Sequence, residues 1–191
     1  MKKWLKIILV LILMSIIGIS IYKVIDVNKF QNKEQFQEQQ GEQTFQNSHP
    51  ATGLNVNDEK VRTFDKLEPT EFKKVTSKNE ITVINLFASW CDPCKREMPE
   101  LVKYAKHSNK DVELIGLNVK DKRKPAQQLI DDVHVNYDIY VAEEDFLKKF
   151  KSYNIPTTLF VNKEGKVEKV YLGELSEKTL NNLVLQLKEQ H

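Results

Sequence analysis

Cys91 and Cys94, the two cysteines of a 191-residue chain, are separated by two residues just beyond the near-continuous apolar run Ile81 to Phe87. A run of that length with so little polar alternation reads as a central strand covered on both faces. The chain then passes through Ala88-Ser89-Trp90 into Cys91-Asp92-Pro93-Cys94, and a helix is predicted to follow to about His107, with a kink at Pro99. Two cysteines cannot staple a disulfide-rich scaffold, so apolar burial must hold the fold. A composition 40% hydrophobic and 29% charged suits that requirement.

The flanking sequence alternates β-branched runs with amphipathic stretches, which is an α/β pattern. Val61 to Leu67 reads as a strand and Pro69 to Thr76 as a short helix. Val112 to Val119 reads as a second buried strand, followed by helices around Ala126 to Asp132 and Glu143 to Ser152. Thr157 to Val161, the turn at Glu164-Gly165 and Lys166 to Leu172 form an antiparallel hairpin, and Leu180 to Leu187 closes the chain as an amphipathic helix.

A cysteine pair at a strand-to-helix junction has three readings. A structural staple across so short a loop is worth only about 2 kcal/mol by chain entropy. A zinc half-site needs two further ligands, and His49, His107, His134 and His191 are not paired at ligand spacing. No metal site is therefore expected. Redox chemistry needs an accessible sulfur at a helix N-terminus, where the dipole and free amides stabilise a thiolate. In that reading Cys91 is the nucleophile, Cys94 one turn inside the helix resolves the mixed disulfide, and Pro93 stiffens the first turn. The redox-active disulfide Cys91-Cys94 would itself be the redox group, with no separate cofactor. Asp92 would disfavour the thiolate.

The N-terminus differs from this domain. Lys2, Lys3 and Lys6 precede sixteen uncharged residues, Ile7 to Tyr22, eleven of them Leu, Ile or Val. Each of those favours insertion by about 0.3–0.6 kcal/mol, so the segment 1–25 reads as a signal-anchor helix with its basic end in the cytoplasm. A cleaved signal peptide ending near Gly18-Ile19-Ser20 is the alternative. Residues 26–57 carry seven glutamines and no sustained apolar period, the composition of a disordered linker. Residues 58–191 form the domain. Six of the 29 basic and four of the 27 acidic residues precede Asp58, so the domain carries 23 of each. That balance argues against a nucleic-acid partner.

The segments Asn85 to Leu101 (NLFASWCDPCKREMPEL) and Tyr153 to Val167 (YNIPTTLFVNKEGKV), with the order of elements around them, resemble the thioredoxin superfamily, and within it the extracytoplasmic, membrane-anchored TlpA/ResA-type thiol-disulfide oxidoreductases. The resemblance spans roughly Val61 to Gln190. It implies a thioredoxin fold, in which a central mixed sheet is flanked by helices. It makes Pro156 a cis-proline facing the cysteines, which with Ile155 docks an extended substrate strand, and it places Trp90 beside the active site as a shield; otherwise Trp90 is a core residue. It also matches Glu97 to an acidic residue near the active site of those enzymes. The implied partners are thiols or disulfides of exported proteins, together with a membrane electron donor or acceptor, on the outer face of the cytoplasmic membrane.

Two departures are visible. Asn85 stands six residues before Cys91, where cytoplasmic thioredoxins have a buried aspartate, so Glu97 or water must serve as proton acceptor for Cys94. The strand and short helix expected before Ile81 look more like thioredoxin than like the hairpin of the ResA-like proteins. An anionic Glu97 and Asp92 would both oppose thiolate formation, which favours a reductase over an oxidase; a non-catalytic tethered module with a structural disulfide is the reading of another class. The basic run Lys120, Lys122, Arg123, Lys124 reads as a solvated loop or a groove border.

Overall fold

The computed structural model describes Trp4, Met14, Phe45–Gln46 and residues 49–190 apart from 109–110, 143 and 152–153. The predicted anchor and most of the predicted linker lie outside the described residues. The strands are β1 (Phe45–Gln46), β2 (Lys60–Thr63), β3 (Pro69–Glu71), β4 (Ile81–Phe87), β5 (Val112–Val119), β6 (Asp138–Ala142), β7 (Thr157–Asn162) and β8 (Val167–Leu172). The helices are α1 (Lys73–Thr76), α2 (Asp92–His107), α3 (Arg123–Val133), α4 (Glu144–Lys149) and α5 (Glu177–Lys188). The strands form one mixed sheet in the order β1-β8-β7-β4-β5-β6-β2-β3.

Burial explains the strand order. Every residue of β4 is buried, and β4 lies at the centre, parallel to β5 and antiparallel to β7. Alternate residues of β4 serve opposite faces. Ile84 and Leu86 join Phe72, Phe146 and Phe150 on the side of α1 and α4. Ile81 and Val83 join Leu101, Tyr104 and the Leu180, Leu183, Val184 and Leu187 stripe of α5. Phe87 turns to the cysteines, Met98 and the apolar side of α3. The result is a three-layer α/β fold.

Three expectations are corrected. Leu67 takes a left-handed conformation (φ 55°) and folds the chain back, so Arg62 pairs with Pro69 and Lys60 with Glu71. The expected strand and helix before Ile81 are thus a β2–β3 hairpin with only one helical turn, Lys73–Thr76, after it. Pro69 is tolerated because β3 is an edge strand. The departure from the ResA-like pattern disappears with it. Residues 49–57, which precede Asp58, also belong to the described fold. Ala51 and Val56 are buried, the Gly53 and Val56 amides donate to the Val167 and Gly165 carbonyls, and the Val167 amide donates to the Leu54 carbonyl. This segment covers what would be the open edge of β8. Gly165 (φ 81°) permits it, since a Cβ there would collide with the Asn57 amide. Finally, β6 has no counterpart in the sequence reading.

Candidate active site

The C-terminal end of β4 delivers Cys91 to the start of α2. Cys91 is the N-cap, in extended conformation (φ −89°, ψ 104°), and Asp92 and Pro93 open the helix. Cys91 and Cys94 are joined in a disulfide with Cα atoms 5.3 Å apart. The Cys94 amide donates to Cys91 Sγ at 3.2 Å, so a free N–H of the helix's first turn already points at that sulfur. Cys91 is 4% exposed and Cys94 0%. Across from them the Ile155–Pro156 peptide is cis, the geometry the resemblance implied, and the Ile155 carbonyl oxygen lies 3.6 Å from Cys91 Sγ. Ile155 is half-buried and packs on the cysteine cluster.

Trp90 is not a core residue. It is 59% exposed, and its indole N–H donates to the Lys120 carbonyl at 3.0 Å. The basic run divides: Lys120 pairs with Glu144, whereas Arg123 lies over the Phe64 ring, 4.8 Å from its centroid, and donates to the Phe64 and Asp65 carbonyls. Arg123 therefore ties α3 to the β2–β3 hairpin.

Glu97 faces inward and is 2% exposed. Its Oε1 accepts from Asn85 Nδ2 at 2.8 Å and its Oε2 from the Leu175 amide at 3.0 Å, while Asn85 Nδ2 also donates to Thr158 Oγ1 at 3.1 Å. Burial outweighs these donors and pushes its carboxyl up to about 8. The expected anion is therefore a protonated acid at neutral pH. Asp92 differs, since its hydrogen bond to Lys95 holds its carboxyl below the usual range, and the 2.9 Å ion pair offsets its charge.

Sequence reasoning missed Asp121. Its carboxylate accepts from the Ser89 amide (2.5 Å) and hydroxyl (2.7 Å), Asn118 Nδ2 (3.0 Å) and the Lys122 amide (2.7 Å). The available signal was an acid directly after a buried strand, inside a basic run. Among the described residues no cluster of three or more His, Cys, Asp or Glu is placed to hold a metal ion.

A family model described as Redoxin matches residues 51–187. The chain belongs to the Redoxin family. Over 121 residues it is 28% identical to the thiol-disulfide oxidoreductase ResA of Bacillus subtilis (strain 168), covering 61% of this chain and 68% of that one. The sporulation thiol-disulfide oxidoreductase A of the same strain is 26% identical over 111 residues, 56% of this chain and 67% of that one. The crystal structure of StoA from Bacillus subtilis superposes with a TM-score of 0.56 at 22% identity, covering 65% of this chain and 94% of that one, which establishes the fold. The chain is a thiol-disulfide oxidoreductase of the TlpA/ResA type, with a thioredoxin-like fold.

Proposed function

We propose that this protein is a membrane-tethered reductase of disulfides in exported proteins, acting on the outer face of the cytoplasmic membrane through Cys91 and Cys94. The placement of the two cysteines carries the reading: Cys91 is the N-cap, its sulfur beside the Ile155 carbonyl, and Cys94 lies inside the helix with no exposure. In the reduced enzyme the Cys91 thiolate attacks one sulfur of a substrate disulfide. That S–S bond breaks, a mixed disulfide with Cys91 forms, and the departing substrate sulfur takes a proton. Cys94 then gives up its proton and attacks the Cys91 sulfur, releasing the second substrate thiol and closing the Cys91–Cys94 disulfide. Two electrons pass to the substrate, and a dithiol donor at the membrane must return them.

Trp90, Ile155 and Pro156 form the substrate contact, with the substrate running extended along the Ile155 backbone. Glu97, protonated at rest, exchanges the Cys94 proton in the resolving step. The reductive direction is supported by the surrounding charges. Lys95 is paired with Asp92 and Arg96 with Glu174, at 2.5 Å, so neither cation is left to stabilise a thiolate beyond what the helix N-terminus provides. A poorly stabilised thiolate makes the reduced form less stable and the couple more reducing. The anchor at residues 1–25 supplies the tether.

The test is the redox potential of the purified chain. A value near −270 mV supports the reductase, and one near −120 mV makes the protein an oxidase. Cys94→Ala should accumulate mixed disulfides with exported proteins and Cys91→Ala should not. A folded Cys91→Ala protein with full function would leave only a tethered module.

A further inference from the structure

The structure assigns Asp121 as a positioning residue for Cys91: it clamps the turn that carries the sulfur to the helix N-terminus. This rests on the assignment of Cys91 as the attacking thiol. Four donors converge on the two carboxylate oxygens. Oδ2 takes the Ser89 amide and Asn118 Nδ2, and Oδ1 takes the Ser89 hydroxyl and the Lys122 amide. Asn118 is buried in β5 and its Nδ2 also donates to the Phe87 carbonyl at 3.4 Å, so the clamp is tied to the last residue of β4. Ser89 sits two residues before Cys91, whose own amide closes the turn on the Ala88 carbonyl at 3.1 Å. On the far side of the loop Lys120, in a left-handed conformation (φ 49°), accepts the Trp90 indole. Residues 88–91 are thus held to the loop after β5 by side chains, with strand pairing ending at Phe87 and Asn118.

The consequence falls on the sulfur. The Cys91 thiolate gains from the Cys94 amide only if the turn places Sγ in line with it, and a 3.2 Å contact tolerates little drift. Position and charge act in opposite directions here. Removing a nearby anion by itself favours the thiolate and lowers the thiol pKa, whereas releasing the turn takes the sulfur off the helix end and raises it. No conservative change preserves the clamp. All four partners donate, so an asparagine at 121 must turn its NH2 toward at least one of them.

The experiment measures the rate of Cys91 alkylation by iodoacetamide against pH, on the reduced full-length chain, for wild type, Asp121→Ala, Asp121→Asn and Ser89→Ala. The charges on the surrounding elements, Asp92 with Lys95, Lys120 with Glu144, and Lys122, are common to all four proteins and drop out of the comparison. The expected result is a profile moved to higher pH in Asp121→Ala, with the rate at pH 7 reduced about tenfold. Asp121→Asn should show a smaller shift in the same direction, and Ser89→Ala, which loses one of the four bonds, the smallest. A profile moved to lower pH, or an unchanged profile in folded Asp121→Ala, overturns the proposal. If Asp121→Ala does not fold, Ser89→Ala decides, and an unchanged profile there overturns it. Preferential labelling of Cys94 in the wild type would instead refute the assignment of the attacking thiol.

Discussion

Asp92 and Glu97 are five residues apart on one helix, yet they belong to two regions built on different principles. The rim of the site, with Trp90, Asp92 and Lys95, is exposed to water, and the Asp92 charge is compensated by Lys95. The base, where Asn85, Glu97 and Thr158 meet between β4, α2 and β7, is buried and holds its acid by hydrogen bonds, with no cation paired to it among the described residues. Water screens a change at the rim, whereas at the base the protein absorbs the whole of it. A side-chain carboxyl is therefore ionised in one region and protonated in the other, which the spacing of acids along a helix cannot reveal.

The sharpest way to break this contrast is through pH. Glu97 has a folded pKa of about 8 against an ordinary value of 4.5. With the folded state holding its proton more tightly, the Glu97 contribution to stability is complete below about pH 4.5. It declines as the unfolded chain ionises, and is spent once pH passes about 8. At 1.36 kcal/mol per tenfold change in proton affinity the full decline amounts to about 5 kcal/mol. Glu97→Gln should remove it, because a neutral amide has no charge to bury. The Asn85 Oδ1 atom, buried and without a hydrogen-bond partner, is available to such a donor after a half-turn of the Asn85 amide. Chemical denaturation at pH 5 and pH 8 checks both. A Glu97→Gln protein that loses as much stability as the wild type between the two would show that the base does not desolvate Glu97.

Packing at the base gives a smaller effect. Gly116 lies beside Asn85 in the sheet, and a Cβ there would stand 3.1 Å from Phe87 Cε1 and 3.3 Å from Tyr137 Cε2, with the Ile139 side chain closer still. Gly116→Ala should cost about 1–3 kcal/mol, the low end if the Ile139 tip swings aside. Thermal unfolding reads this directly, and a stability equal to wild type would mean that the base has room to spare.

Where the sequence was legible follows the same division. β4, β5 and the β7–β8 hairpin are written as apolar runs, so their burial and order could be read directly. The cysteine pair followed because Cys-Asp-Pro-Cys at the end of such a strand can meet only a helix N-terminus. β6 was hidden because Asp-Ile-Tyr-Val-Ala is only half-buried and has no clean period. The β2–β3 hairpin depends on Leu67 entering a conformation that leucine rarely adopts. Residues 49–57 have no sustained apolar period, yet Ala51 and Val56 are buried and the segment bonds to the start of β8. Asp121 was missed because two of its four donors come from Ser89, on a distant turn, and the acid at the end of β5 does not by itself announce that meeting.

The rim should give the smallest response of all, and its direction can be worked out. Asp92→Asn removes an anion next to Cys91 and leaves Lys95, previously paired at 2.9 Å, as a free cation near the same helix end. Both changes favour the Cys91 thiolate, so alkylation of reduced protein at pH 7 should become faster. Both groups are solvent-exposed, and screening limits the gain to about two- to threefold at low salt. At about 1 M salt, where the screening length is near 3 Å, the difference should vanish. Lys95→Gln should slow the reaction by a similar factor, and the double substitution should return it close to the wild-type rate, because the pair is nearly neutral as seen from the sulfur. A tenfold acceleration in Asp92→Asn, or one that persists in salt, would place Asp92 electrostatically with the base and would erase the distinction between the two regions.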